Sequence, residues 1–558
     1  MQYEGVITIT KFGTGFVNCL DGTSILIPKE NINYAINRDT VKVEIINKTD
    51  KGIIGNIIST PSFIGKTYIA IISHFHGGNI YAYVEEIGKK NLICLQYKQK
   101  VKINDYLFIK INKILSGTVL QYIGNFSNDC FKYKFNLCEI SCDLSTLQKN
   151  SLYVDRVDLT NHNVFTIDPI GSKDLDDAFS VMLIDGVYHI YIHIADVSEY
   201  IHPGLPIFEY IMERGNTIYG IDYNWPMIPR ELSDDMCSLH ENKKRYAITN
   251  EFIYDKNGLN HIGMYYSIIE SKKQYTYEEV DILLENKKNN DINILYESSK
   301  IINNILDMFP MNLMTKPSHK IVELYMLLTN KVMGEMLFLK KSGNFRFHPK
   351  PYNNQLQTLK RYLGLTDNLD RSEILKKCNN IYNYTYEYII KDIMRKAEYV
   401  PCKNEHSHYA LGINHYIHFT SPIRRASDLL NHLIIKGYKF SDDEIEKYCT
   451  YFNKAEIIQM SVENMILQYN LMIYLYKLVG QIIDVVIINI SNTGIKILLS
   501  NGIYYYEDNI HISKLSNSKL FYNNIEYKLE NETHSYKLFD TIKICIDSEL
   551  AISLACNI

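Results

Sequence analysis

The chain has 558 residues and a mass of 65.1 kDa, more than one hydrophobic core usually serves, so its length predicts three to four domains. Hydrophobic residues at 46% and charged residues at 22% exclude disorder, collagen and coiled coil as the overall class. With 59 basic against 63 acidic residues and a net charge of −4, no whole-chain positive excess announces a nucleic acid, and any polyanion site must be local.

The charge is unevenly spread: residues 1–150 are net basic, and the middle and C-terminal parts are net acidic. No apolar run is as long as a membrane span, and Met1-Gln2-Tyr3-Glu4-Gly5 lacks the cationic-then-apolar start of a signal peptide. The expectation is a cytoplasmic protein without a membrane partner. Eleven cysteines without C-x-x-C pairs suit neither a disulfide framework nor a zinc site. The 45 tyrosines against one tryptophan look like compositional drift, so a single tyrosine carries little weight.

In chain order, β-prone stretches come first. Asp39-Thr40-Val41-Lys42-Val43, Asp105-Tyr106-Leu107-Phe108-Ile109 and, near the end, Asp540-Thr541-Ile542-Lys543-Ile544 share one phrase, a turn aspartate before an extended run. Strand signals upstream of each are split by Gly or Asn turns. Short strands in modules of this size suggest small OB-type barrels, and three unrelated β domains fit the periodicity equally well. OB barrels present aromatics to single strands; Phe12 and Phe16 in the first module read as core. Residues 149–478 open with strands and close with helices, the pattern of one α+β domain. Ser441 with Glu444 forms a capping box ahead of a helix running to Leu478, with Phe440 and Ile445 as its staple. Thr420-Ser421-Pro422 predicts another helix, with Ser421 as cap and Pro422 at the first position.

The strongest local signal is Asp168-Pro169-Ile170-Gly171-Ser172-Lys173-Asp174-Leu175-Asp176-Asp177. Carboxylates this close repel one another unless cations neutralise them, and hard oxygen donors suit magnesium or manganese. The spacing is not that of an EF-hand, and in isolation such a run is more often an exposed turn. Far downstream, Tyr416-Ile417-His418-Phe419-Thr420-Ser421-Pro422-Ile423-Arg424-Arg425 is predicted to put two arginines in the first turn of a helix, where a phosphate is favoured. Alone, they would read as a surface arginine pair. Together the two runs are the parts of a metal-assisted phosphodiester hydrolase.

These two runs, with His193-Ile194-Ala195-Asp196-Val197-Ser198, Arg214-Gly215, Pro226-Met227-Ile228-Pro229, Leu232-Ser233 and Cys237-Ser238-Leu239 between them, resemble the ribonuclease II / ribonuclease R (RNB) family. The resemblance implies a multidomain fold. It comprises two N-terminal cold-shock-like OB-type β-barrels (1–60 and 61–148), a central α+β RNB catalytic domain (149–478) and one C-terminal RNA-binding OB-type β-barrel (479–558). It also implies processive 3′→5′ hydrolysis of single-stranded RNA to nucleoside 5′-monophosphates with two divalent ions, Mg2+ or Mn2+, by a monomer. Carried over residue by residue, Asp168, Asp174, Asp176 and Asp177 are the metal-site carboxylates, with Asp176 needed mainly for the chemical step. Arg424 meets the scissile phosphate beside Arg425, Tyr219 stacks on the terminal base, and Glu463 lies near the ribose 2′-OH. The chain departs from the family pattern at Ala426, His432-Leu433 and Asn464, and in a shortened stretch around 307–316, so the second base-stacking aromatic has no assigned position. The alternative expectation is a weak or silent RNB-type RNA-binding regulator, against which the four retained acids argue.

Overall fold

The structure is a computed structural model that describes residues 2–10, 13–19, 21–49, 52–143, 154–306, 316–362, 384–402, 407–500, 505–515, 520–523, 528–531, 533–546 and 552–554. Alternation of inward apolar and outward polar side chains closes two barrels at the N-terminus. The first joins Gln2–Ile9, Gly15–Cys19, Ser24–Ile27, Gly52–Ile57 and Thr40–Thr49 in that order, around Ile7, Val17, Ile25, Ile27 and Val43. The second joins Ser116–Gly124, Ile93–Gln96, Asn79–Tyr83, Thr67–His76 and Tyr106–Lys113, around residues that include Ile72, Leu95 and Ile109. Phe16 is not core: Gly15 and Val17 on either side point inward, so the pleat turns Phe16 out, 41% exposed. Phe12 lies outside the described residues.

The repeated turn aspartates have a shared structural job. Asp39, Asp105 and Asp540 each accept a hydrogen bond on the side chain from the backbone N–H three residues earlier, at Ile36, Lys102 and Lys537. Each also accepts one on its carbonyl from a strand isoleucine, Ile7, Ile72 or Ile487. The C-terminal module carries this device in a five-stranded sheet ordered Tyr505–His511, Gly494–Ser500, Ile482–Ser491, Thr541–Ile546 and Ile552–Leu554, beside a three-stranded meander. Several connections of these strands, expected to form a closed barrel, fall outside the described residues.

The central part is built on a six-stranded sheet ordered Val157–Asp158, Gly258–Thr276, Val164–Asp168, Asp177–Ile184, Val187–Ala195 and Lys244–Asp255. The long strand Gly258–Thr276 pairs with Lys244–Asp255 over its first part and with Val164–Asp168 at its end, so the sheet curls back on itself. Phe179 on this sheet meets Tyr325 of the helix Pro317–Leu339 edge-on. The helix Asp442–Leu478 starts at the expected capping box, with Ser441 and Glu444 bonded reciprocally. The helix expected at Pro422 begins instead at Ala426. Side chains take the N–H groups there: Ser421 N–H donates to Asp428, in the first turn of the observed helix, and Ile423 N–H to the distant Asp176. The described chain forms two compact units, residues 1–138 with 220–223, and 139–219 with 224–558. No helix among the described residues is long and apolar enough to cross a membrane.

Candidate active site

Two antiparallel strands set the carboxylates. Val164–Asp168 ends where Asp177–Ile184 begins, and the register, Phe165 opposite Phe179, leaves Asp168 and Asp177 at the same end of the sheet. The loop between them carries Asp174 and Asp176. Its backbone is pinned by the Cys237-Ser238-Leu239 segment: Ser238 Oγ accepts from Leu175 N–H at 3.0 Å and donates to Lys173 O at 2.6 Å, and Leu239 N–H donates to Leu175 O. Asp176, 4% exposed, accepts Ile423 N–H on Oδ1 at 2.8 Å, and its Oδ2 lies 3.4 Å from Arg424 Nε. Arg424 is 43% exposed at the side chain and donates to Ser421 Oγ. A strand pair, Ile218–Tyr219 with Asn224–Trp225, adds Tyr219, whose hydroxyl donates to Asp174 Oδ2 at 2.9 Å. Asp168, Asp174, Asp176, Asp177, Tyr219 and Arg424 line one cavity of about 490 Å3.

One arginine faces four carboxylates, and burial dominates the balance. Desolvation, with Asp174 adding to it, raises the Asp168 carboxyl to about 6, and desolvation with Asp168 nearby raises Asp177 to about 8. Asp176 is also held well above the ordinary carboxylate range by burial, with Arg424 opposing. Asp168 Oδ2 is buried without a hydrogen-bond partner, and Asp176 Oδ2 is buried with no hydrogen bond beside its 3.4 Å ion pair with Arg424. Among the described residues no three His, Cys, Asp or Glu side chains converge as a finished ligand set. Asp174 Oδ2 is engaged by Tyr219 and Asp176 Oδ1 by Ile423. Orphaned, desolvated hard oxygens are nevertheless what a divalent cation satisfies, so the residues present fit such an ion.

Two expected site residues stand differently. Arg425 caps the helix Ala426–Lys436 rather than lying in its first turn, and its Nη2 donates to the buried Asp428 at 2.8 Å, although the residue borders the cavity. Glu463 is not brought to the cavity: it sits on an exposed face of the long helix and accepts from Gln459 one turn back. The cavity wall instead includes Tyr277, Glu323 and Asn330. Desolvation raises the Glu323 carboxyl, with Lys320 opposing. Glu323 belongs to the helix Pro317–Leu339, and only its place on the cavity wall distinguishes it from any other helical glutamate.

The RNB domain model matches residues 156–441, just over half of the chain. The chain belongs to the RNB family. The Ribonuclease B OB domain model matches residues 5–53, the first barrel. Among curated relatives of this RNB chain, ribonuclease R of Buchnera aphidicola (subsp. Schizaphis graminum) is 26% identical, covering 78% of this chain and 69% of the relative. Ribonuclease R of Mycoplasma genitalium is 26% identical over 88% of this chain and 80% of the relative. Among solved structures, Mycoplasma genitalium RNase R in complex with ribose-methylated single-stranded RNA aligns with a TM-score of 0.80 at 22% identity, over 99% of this chain and 100% of that one. Yeast Ssd1, a pseudonuclease, aligns at 0.66 with 14% identity, over 95% of this chain and 81% of that one. These likenesses establish the RNB fold.

Proposed function

We propose that this RNB protein is a 3′→5′ exoribonuclease that hydrolyses single-stranded RNA processively to nucleoside 5′-monophosphates. The observation that carries the reading is the convergence of Asp168, Asp174, Asp176 and Asp177 with Arg424 on one cavity, together with RNB membership and relatives named ribonuclease R. Asp168, Asp174 and Asp177, with Asp176, are the residues that would hold two divalent ions, Mg2+ or Mn2+, which supply an activated water and charge stabilisation for the leaving oxygen when bound. The chain's own groups do the rest. Arg424 offers its half-exposed guanidinium to the phosphate next to the bond that breaks. Asp176 fixes Arg424 through the Nε contact and ties the turn to the acid loop through Ile423 N–H. The Tyr219 ring, 36% exposed on the cavity wall, gives the terminal base a stacking face. Glu323, on the cavity wall, is the glutamate we assign to accept from a ribose 2′-OH, in preference to Glu463.

The two N-terminal barrels supply outward aromatics such as Phe16 for single-strand contact. We read the C-terminal module as a third OB-type element on the strength of the Asp540 device it shares with them. Retention of all four acids favours turnover over a silent RNA-binding role. The test is mononucleotide release from labelled single-stranded RNA in magnesium. Asp176→Asn is expected to abolish release while RNA binding measured by gel shift persists. Undiminished release by the variant would overturn the assignment.

A further inference from the structure

Tyr219 is joined to the acid loop by more than proximity. The backbone on both sides of Asp174 is fixed by Ser238 and Leu239, which leaves the rotation of the Asp174 carboxylate to be set by side-chain contacts. The Tyr219 hydroxyl supplies one, donating to Oδ2 at 2.9 Å. The backbone leading into Tyr219 is itself anchored: Thr217 N–H donates to Arg424 O at 3.0 Å, Asn216 bridges to Arg425, and Ala426 N–H donates to Gly215 O at 2.8 Å. Arg424 then returns to the acid loop through Asp176. A closed circuit therefore runs from Asp174 to Tyr219, along the strand to Arg424, and back to Asp176.

We infer that the Tyr219 hydroxyl is a positioning group for the metal site: by holding Asp174 Oδ2 it aims the remaining carboxylate oxygen at the ion, so the residue that faces the terminal base also sets cation affinity. Hydrogen bonds of this kind to a ligand carboxylate alter metal affinity by about 10- to 100-fold when removed. The inference rests on the metal-dependent reading proposed above. It deepens that reading by coupling the base-stacking wall to the ion.

The test titrates Mn2+ into the metal-free full chain, without RNA, and follows free Mn2+ by electron paramagnetic resonance. Tyr219→Phe keeps the ring and removes only the hydroxyl, and its thermal melt in EDTA is expected to match that of the wild type. Its Mn2+ affinity is expected to fall about tenfold or more. In an Asp174→Asn background the same change is expected to have no further effect. Equal or tighter Mn2+ binding by Tyr219→Phe, or the same loss with Asp174 already replaced, would overturn the coupling while leaving the exonuclease reading intact. Failure of the wild type to bind Mn2+ would overturn both.

Discussion

Two groups of buried charge in the central part show opposite electrostatics. At Asp196, which is 1% exposed, Arg156 Nη2 lies 2.6 Å and Lys436 Nζ 3.1 Å from Oδ2, and both cations also reach Glu199. Two carboxylates meet two cations there, Ser198 Oγ donates to the same carboxylate, and the Asp196 carboxyl is drawn down to about 2, its desolvation outweighed chiefly by Lys436 and Arg156. At residues 168–177 four carboxylates share Arg424, and three of them are displaced upward. The same residue types thus make a finished ion cluster in one place and an unfinished one in the other. The difference lies in compensation: the first group carries its own cations, and the second is short of the positive charge that the proposed divalent ions would bring.

The largest expected effect lies in the finished cluster. Lys436→Met leaves Asp196 and Glu199 with one cation between them, and is expected to cost about 3–5 kcal/mol in urea unfolding; a cost below about 1 kcal/mol would mean that the cluster is not compensated as described. Next, Arg424→Lys removes the planar fork from the unfinished group. It is expected to slow RNA hydrolysis about 100-fold, near 3 kcal/mol, with the melting temperature unchanged; an unchanged rate would remove Arg424 from the chemistry.

Acid sharpens the contrast. Because the folded Asp196 carboxyl lies below its ordinary value of 3.8, its stabilisation is present above that value and is lost as pH falls through about 2. About 2 kcal/mol is at stake. The stability gap between the wild type and Asp196→Asn should close across that interval, and a gap independent of pH would contradict the pairing. The smallest effect is expected at Asp177→Asn. A carboxyl raised to about 8 must take up a proton on folding at neutral pH, so a neutral amide in its place should raise stability in EDTA by about 1 kcal/mol, discounted for the opening of the site to the cavity. A loss of stability in EDTA would show that the acid group is already balanced.

What the sequence made legible follows from the range of each interaction. The four aspartates lie within ten residues, so their crowding can be read directly, as can the Ser441 capping box and the three turn aspartates. The helix start at Pro422 misleads because its local signal is overridden by Asp176, 247 residues away, and by Asp428. Glu323 and Tyr277 reach the cavity through helix packing that leaves no local mark. Phe16 is the opposite case: the period-two pattern around Gly15 and Val17 already turned it outward, and composition obscured it. Tyr219 lines the cavity, but its hydroxyl bond to Asp174 depends on a side-chain geometry no sequence prints.

The central claim, that the unfinished acid group works on the 3′ end of single-stranded RNA once a divalent cation completes it, is tested most directly by a time course on 5′-labelled RNA. The full chain is run in Mg2+ and in EDTA, beside 3′-blocked RNA and DNA of the same sequence. The account predicts a Mg2+-dependent ladder receding from the 3′ end of unblocked RNA alone. Internal cuts, or folded protein that binds the RNA and never shortens it in Mg2+ or Mn2+, would contradict it.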